Sequence, residues 1–253
     1  MEPTAQTHSV QTRLLEQTAS ELRATLEATN HARENALRLS REVIQFSSRA
    51  IRAIHRGETQ PARALVSEAR DRVIAARSAL AAHPGLFYAG YVHDSQKEYV
   101  EAEAMLTIVG DLPLPAPEEL GVEPAAYLNG MAEAASESRR YVLDRLRLGD
   151  VASAERVLKV MDDIYYELVT FDFPDAITGG LRRTTDSLRA VLERTRADLT
   201  MTLSQRRLET ALNLALQSAP SIVIPEITDA ITPHNESNES HNEPLPETID
   251  SGQ

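Results

Sequence analysis

Cysteine is absent from the 253 residues, which excludes disulfides, thiolate zinc sites and cysteine nucleophiles. Lysine is nearly absent too: of 26 basic residues only Lys97 and Lys159 are lysines, a bias expected of a GC-rich or salt-adapted source. No stretch approaches the roughly 18 consecutive apolar residues of a membrane span. The opening MEPTAQTHSV has neither the basic start nor the apolar core of a signal peptide. A cytoplasmic location without a membrane partner is therefore expected. No β-branched alternating run of strand length occurs before residue 219, so a sheet is not expected either. With 42% apolar and 25% charged residues, 10 Gly and 13 Pro, the chain is neither collagen-like nor wholly disordered.

What is present is helical in pattern. Proline-free windows run over 4–60, 62–83, 85–112, 125–173 and 175–219, with glycines at their edges (Gly57, Gly85, Gly110, Gly121, Gly149, Gly179 and Gly180). Since an interior proline costs a helix about 3 kcal/mol, these windows delimit the helices. Within them Ala, Leu, Arg and Glu dominate and apolar residues recur at three- and four-residue spacing. The expectation is an all-α fold, one antiparallel bundle of six to seven helices over residues 1–217. Residues 218–253 form a Pro-, Asn-, Ser- and Glu-rich tail expected to be largely disordered. Seven of the 38 acidic residues and no basic residue lie in that tail, so of the net charge of −12 the first 217 residues carry only −5. Such a balance argues against loose nucleic-acid binding but leaves room for a local basic stripe.

That stripe lies on the segment Ala36–His55. At about 100° per residue, Leu37, Leu39, Val43, Ile44, Phe46, Ala50, Ile51 and Ile54 fill one broad side. Arg38, Arg41, Arg49, Arg52 and Arg56 gather on a narrow opposite arc. Five guanidiniums with only Glu34 and Glu42 nearby suit bidentate phosphate contacts along an RNA or single-stranded DNA backbone. The alternative is a solvated face whose arginines pair with acids of neighbouring helices. His55, beside Arg56, is placed to reach a phosphate or to cap the helix before Gly57.

Acidic residues form a second pattern. In Tyr91–Val109, Glu98 and Glu101 share a helix face with Tyr91, Met105 and Val109, with Asp94 one turn earlier. Carboxylates among apolar neighbours require a positive partner, either a divalent cation or an arginine from another helix. In Ala125–Leu148, Glu133 and Glu137 lie on one side, one turn after Gly130, whose missing side chain would permit close approach of a facing helix or ligand. Oxygen ligands from two helices, with no Cys and no helically spaced His pair, favour Mg²⁺ or Mn²⁺ over zinc. Surface acid pairs of no catalytic consequence are the competing explanation. His93, Asp144, Asp162 and Asp163 are further acids and imidazoles whose spacing compels nothing.

At these segments the sequence resembles the translin family, in particular its translin-associated factor X (TRAX) branch. LRLSREVIQFSSRAIRAIHR (Leu37–Arg56) is similar to the family's first-helix signature, QKEYVEA (Gln96–Ala102) to the motif with two catalytic glutamates, and YLNGMAEAASESRR (Tyr127–Arg140) to the next block, followed by Gly149–Asp150. The resemblance covers roughly residues 30–215, and three motifs in order are more specific than any one. It implies an all-helical protomer assembling into a closed barrel, a homo-oligomer with an octamer favoured. It also implies a Mg²⁺-dependent endoribonuclease acting on single-stranded RNA, with Glu98, Glu101 and Glu133, joined by Glu137, as catalytic and metal-holding residues. Arg38, Arg41, Arg49, Arg52, His55 and Arg56 would bind nucleic acid. Glu133 stands where the family has a catalytic aspartate, an arm one methylene longer. A translin-like, nuclease-inactive binder of single-stranded RNA or DNA is the alternative.

Overall fold

The structure is a computed structural model and describes residues 10–218. Its elements are α1 (Val10–His55), α2 (Thr59–Ala79), α3 (Pro84–Phe87), α4 (Gly90–Gly110), α5 (Pro117–Leu120), α6 (Pro124–Arg147), α7 (Val151–Leu168), α8 (Asp175–Thr178) and α9 (Leu181–Ser218). Three of these are single turns, so six long helices carry the fold, within the six to seven expected. No strand occurs among the described residues. The helices stop where backbone chemistry requires: Gly57, Gly121, Gly149, Gly179 and Gly180 all have positive φ, the left-handed conformation that closes a helix most easily at glycine. Proline opens α3, α5 and α6 in their first turns, where its missing N–H costs nothing. Residues up to Glu209 form one compact unit, and a second begins at Thr210, of which the residues through Ser218 are described and helical. The expected tail beyond Ser218 lies outside the described residues.

Small residues set the packing. On α1 the buried positions Ala36, Leu39, Ser40, Val43, Ser47, Ala50 and Ile54 recur every three or four residues. The turn at Gly57 folds α2 back along this stripe through Ala62, Val66, Ala69, Val73 and Ala76. The other side of α1 meets α4, where the buried Ser95 Oγ donates to Ser40 Oγ. Helix α4 is buried on several sides, through Val92, Tyr99, Val100, Met105 and Ile108 among others, because it packs against α1, α2 and α6, and it keeps Asp94, Lys97, Glu98 and Glu101 for the face described below. Helix α6 packs between α4 and α7, and alanines at 126, 132, 134 and 135 are fully buried along it. On α9 the buried residues Leu181, Thr185, Leu188, Leu192, Thr195 and Leu199 alternate spacings of four and three, a coiled-coil-like seam. Arg139 of α6 holds that seam, donating to Thr195 Oγ1 at 3.1 Å and pairing with Asp198 at 2.8 Å.

Side chains that cross between elements fix α4 and α6, the two helices that matter most below. Gln96 Oε1 accepts from the Glu123 backbone N–H at 3.0 Å, so α4 caps the start of α6. At the other end Arg156 of α7 donates to the Ile108 carbonyl at 2.9 Å, closing the last turn of α4. Asn129 is fully engaged, donating to the Ala125 and Thr178 carbonyls and accepting from Thr184 Oγ1. Ser138 Oγ donates to the Ala134 carbonyl and lies 3.2 Å from Met105 Sδ across the α4–α6 seam.

Candidate metal centre and nucleic-acid interface

Glu98 and Glu101 project from one face of α4, three residues apart. Glu133 reaches them from α6 because that helix carries Gly130 one turn earlier. A Cβ built on Gly130 would lie 2.6 Å from Val100 Cβ and 2.7 Å from the Lys97 carbonyl oxygen. The glycine expected from the sequence to admit a facing helix does so. One carboxylate oxygen from each of Glu98, Glu101 and Glu133 then lies within 4.8 Å of the others, all three residues being half-buried.

Like charges at that separation need compensation. Lys97 supplies part of it, donating from Nζ to Glu133 Oε1 at 2.8 Å. Burial alone would lower its pKa, but the hydrogen bond and charge of Glu133, with Glu98 and Asp94 farther off, raise it, so the ammonium is retained. One ammonium against three carboxylates still leaves two negative charges in excess, and protons are the available response. Glu101 is pushed up to about 8 by burial first and then by Glu98, Glu133 and Glu137. Glu98 is raised by burial, with Glu133 and Asp94 adding to it and Lys97 opposing. A hard divalent cation would neutralise the same excess, and an all-oxygen donor set is the kind such ions prefer. The group could therefore hold a metal.

Glu137, the fourth acid expected there, is engaged elsewhere. Its Oε1 lies 2.6 Å from His55 Nε2, and the His55 side chain is only 2% exposed. The imidazole joins α1 to α6. Glu137 still acts on the cluster electrostatically, since its charge contributes to the rise at Glu101. Asp94 is exposed beside the cluster. Asp144 pairs with Arg147, Asp162 with Arg196 and Asp163 with Lys159, while the His93 ring lies against Gly179. None of those four residues joins the three glutamates.

The arginine stripe divides in two. Arg38 pairs with Glu42 and Arg56 with Glu58, so at these two positions the solvated-face explanation holds in part. Arg41 and Arg49 are exposed, and no carboxylate pairs with either among the described residues; Arg49 lies 6.0 Å from the Phe46 ring centroid. Among the described residues Arg52 donates only to Ser48 Oγ. Three guanidiniums on one exposed arc thus remain available to an anion. Ile44, expected on the buried side, is 37% exposed. Sequence reasoning missed Lys97 as the partner of Glu133. Its signal was compositional, one of two lysines in an arginine-rich chain standing next to Glu98.

The fold and site thus define an all-helical protein with a carboxylate cluster of metal-binding composition, one of whose long helices carries an exposed arginine arc. No protein-family model matches the chain. It is 32% identical over 174 residues to the uncharacterized protein MJ0175 of Methanocaldococcus jannaschii, covering 66% of this chain and 74% of that protein. Two solved structures, the crystal structure of AfC3PO and the structure of an AfC3PO–duplex RNA complex, each match with a TM-score of 0.70 and 36% identity, covering 75% of this chain and 98% of theirs. The crystal structure of apo-NeC3PO matches with a TM-score of 0.62 at 20% identity, over 80% of this chain and 98% of that one, a likeness of fold alone. The chain belongs to the translin family, of which the C3PO proteins are members. No helix among the described residues is long and apolar enough to cross a membrane.

Proposed function

We propose that this protein is a divalent-metal-dependent endoribonuclease of the TRAX-like branch, acting on single-stranded RNA as a cytoplasmic homo-oligomer, with an octamer the favoured assembly. The observation that carries the proposal is the convergence of Glu98, Glu101 and Glu133 from two helices within 4.8 Å. These three residues would hold Mg²⁺ or Mn²⁺, with Glu137 acting on the cluster from its contact with His55. When bound, such an ion supplies a Lewis acid that withdraws charge from a phosphodiester and acidifies water. The chain's own residues do the rest. Arg41, Arg49 and Arg52 bind strand phosphates, Lys97 holds the Glu133 carboxylate in place, and His55 fixes Glu137 one turn farther along α6. That AfC3PO forms a complex with duplex RNA supports RNA as the polymer bound; single-strand preference for cleavage follows from the expected closed assembly.

The test is incubation of the purified protein with labelled single-stranded RNA and with a duplex of the same sequence, each with Mg²⁺ and with EDTA. Cleavage of the single strand in Mg²⁺ alone is expected, with the duplex bound but intact. Cleavage that persists in EDTA would overturn the metal's role. RNA retention without cleavage under any condition would instead favour a nuclease-inactive RNA- or DNA-binding protein. One contact favours that second reading: the ion pair of Lys97 with Glu133 at 2.8 Å already satisfies one carboxylate of the cluster.

Replacement of Arg41, Arg49 and Arg52 together by alanine is expected to weaken RNA binding across sequences. If each contacts one phosphate, the slope of log affinity against log salt should fall by about 2 for a single strand. An unchanged slope would remove these arginines from the interface.

A further inference from the structure

A cavity opens where α1, α4 and α6 end and α2 begins, away from the three glutamates. Its volume is about 280 Å³, more than a lone phosphate would fill. Three guanidiniums line it, those of Arg63, Arg145 and Arg147, against the single carboxylate of Asp144, which Arg147 engages at 3.2 Å. No carboxylate pairs with Arg63 or Arg145 among the described residues; Glu103 and Asp150 act on them only at longer electrostatic range. The Arg145 guanidinium lies 5.0 Å from the Tyr141 ring centroid, and its buried Nε has no hydrogen-bond partner among the described residues. His55 borders the same cavity. With its side chain 98% buried and Nε2 held by Glu137, its Nδ1 is also without a partner among the described residues. Two buried polar nitrogens beside one cavity carry a desolvation cost, and the outer guanidinium nitrogens of Arg145 remain the part of that residue that can meet an anion.

The rest of the lining is apolar, chiefly Ile54, Leu106, Val109 and Leu148. A cavity with a cationic side and an apolar side selects an anion that carries an apolar body. We propose that it holds one nucleotide, with the phosphate on Arg63 and Arg145 and the nucleoside against the apolar wall. Taking that anion to be a nucleotide rests on the RNA-directed reading above; the cationic cavity does not. Arg145 follows Glu133 on the same helix by about 18 Å at 1.5 Å per residue, and the His55–Glu137 contact lies between. The nucleotide could be free or the phosphorylated end of a strand whose interior reaches the glutamates.

Calorimetric titration of the full chain in EDTA with adenosine 5′-monophosphate, inorganic phosphate and adenosine tests this. The monophosphate should bind at least ten-fold more tightly than either fragment. Arg63→Ala, at an exposed position, and Arg145→Met, which keeps an apolar stem over Tyr141, should each weaken it at least ten-fold, with unchanged circular dichroism. Arg41→Ala with Arg52→Ala should leave it unchanged. Displacement of the monophosphate by a short 5′-phosphorylated oligoribonucleotide, and not by its 5′-hydroxyl form, assigns the cavity to a strand end; indifference to both assigns it to a free nucleotide. No saturable binding, equal binding of inorganic phosphate, or binding unaffected by Arg63→Ala and Arg145→Met would overturn the proposal. Because EDTA is present throughout, failure of Mg²⁺-dependent cleavage would leave this result standing, and the reverse is equally true.

Discussion

Glutamine at both Glu98 and Glu101 is expected to lower Mg²⁺-dependent RNA cleavage by roughly two orders of magnitude or more, while RNA binding stays within about two-fold because the arginines of α1 are untouched. The same substitutions should make the metal-free protein more stable at alkaline pH. In the unfolded chain Glu101 ionises near 4.5 and in the folded protein near 8, chiefly through burial and then through Glu98, Glu133 and Glu137. Between those values the folded state binds the extra proton, so wild-type stability falls as pH rises through that window. Glutamine has no proton to lose. The variant's advantage in EDTA should be absent near pH 4, grow through neutrality and level off above pH 8, at a size on the order of a few kcal/mol. Thermal melts at pH 5, 7 and 9 with EDTA measure it. Addition of Mg²⁺ should then raise the wild-type melting temperature at pH 8 and leave the variant nearly unmoved. A variant that melts with wild type at every pH would show that these carboxylates are not electrostatically strained, and the basis for placing a cation among them would be lost.

Much of this site was legible in the amino-acid order, and the part that was not has a common cause. Helix termini could be read because Gly57, Gly121 and Gly149 close helices through their own backbone conformation, a local property. Glu98 and Glu101 could be placed on one face because their spacing is helical, and Gly130 could be marked for a close approach because its neighbours are larger. What sequence spacing could not supply is the outcome of competition between partners distant in the chain. Glu133 and Glu137 are equivalent in spacing, yet one meets α4 and Lys97 while the other meets His55, 82 residues away. The choice depends on how α1 and α4 are rotated against α6, and contacts such as Ser40 with Ser95 and Gly130 with Val100 bear on that rotation as the acids do not. The same holds for the arginine arc. Its existence follows from a 100° period, but which members stay free depends on Glu42 and Glu58 in the adjoining turns. The cavity at Arg145 was invisible for the same reason, since its lining is drawn from four helices.

The geometry of the cluster also makes one small residue as consequential as the acids. Gly130→Ala should destabilise the protein and impair the metal response together. The added carbon would sit 2.6 Å from Val100 Cβ and 2.7 Å from a backbone oxygen, that of Lys97. Trimming Val100 to alanine leaves both of those atoms in place, so no side-chain adjustment relieves the overlap. Helices α4 and α6 must separate or shift along each other. Overpacking of this kind costs typically 1–3 kcal/mol, which for a chain of this size lowers the melting temperature by about 2–4 °C per kcal/mol. A larger effect is expected on function, because the displaced seam is the one that carries Lys97, Glu98 and Glu101 toward Glu133. A misplacement of about 1 Å can lower a rate by two orders of magnitude. Gly130→Ala should therefore lose most Mg²⁺-dependent stabilisation and cleavage while retaining the helical circular dichroism spectrum and the salt-dependent RNA binding of α1. A control at Gly90, where a Cβ meets nothing within 4 Å, should be close to neutral as alanine. If Gly130→Ala kept the wild-type melting temperature and metal response, close approach of the two helices could not be what assembles the three glutamates.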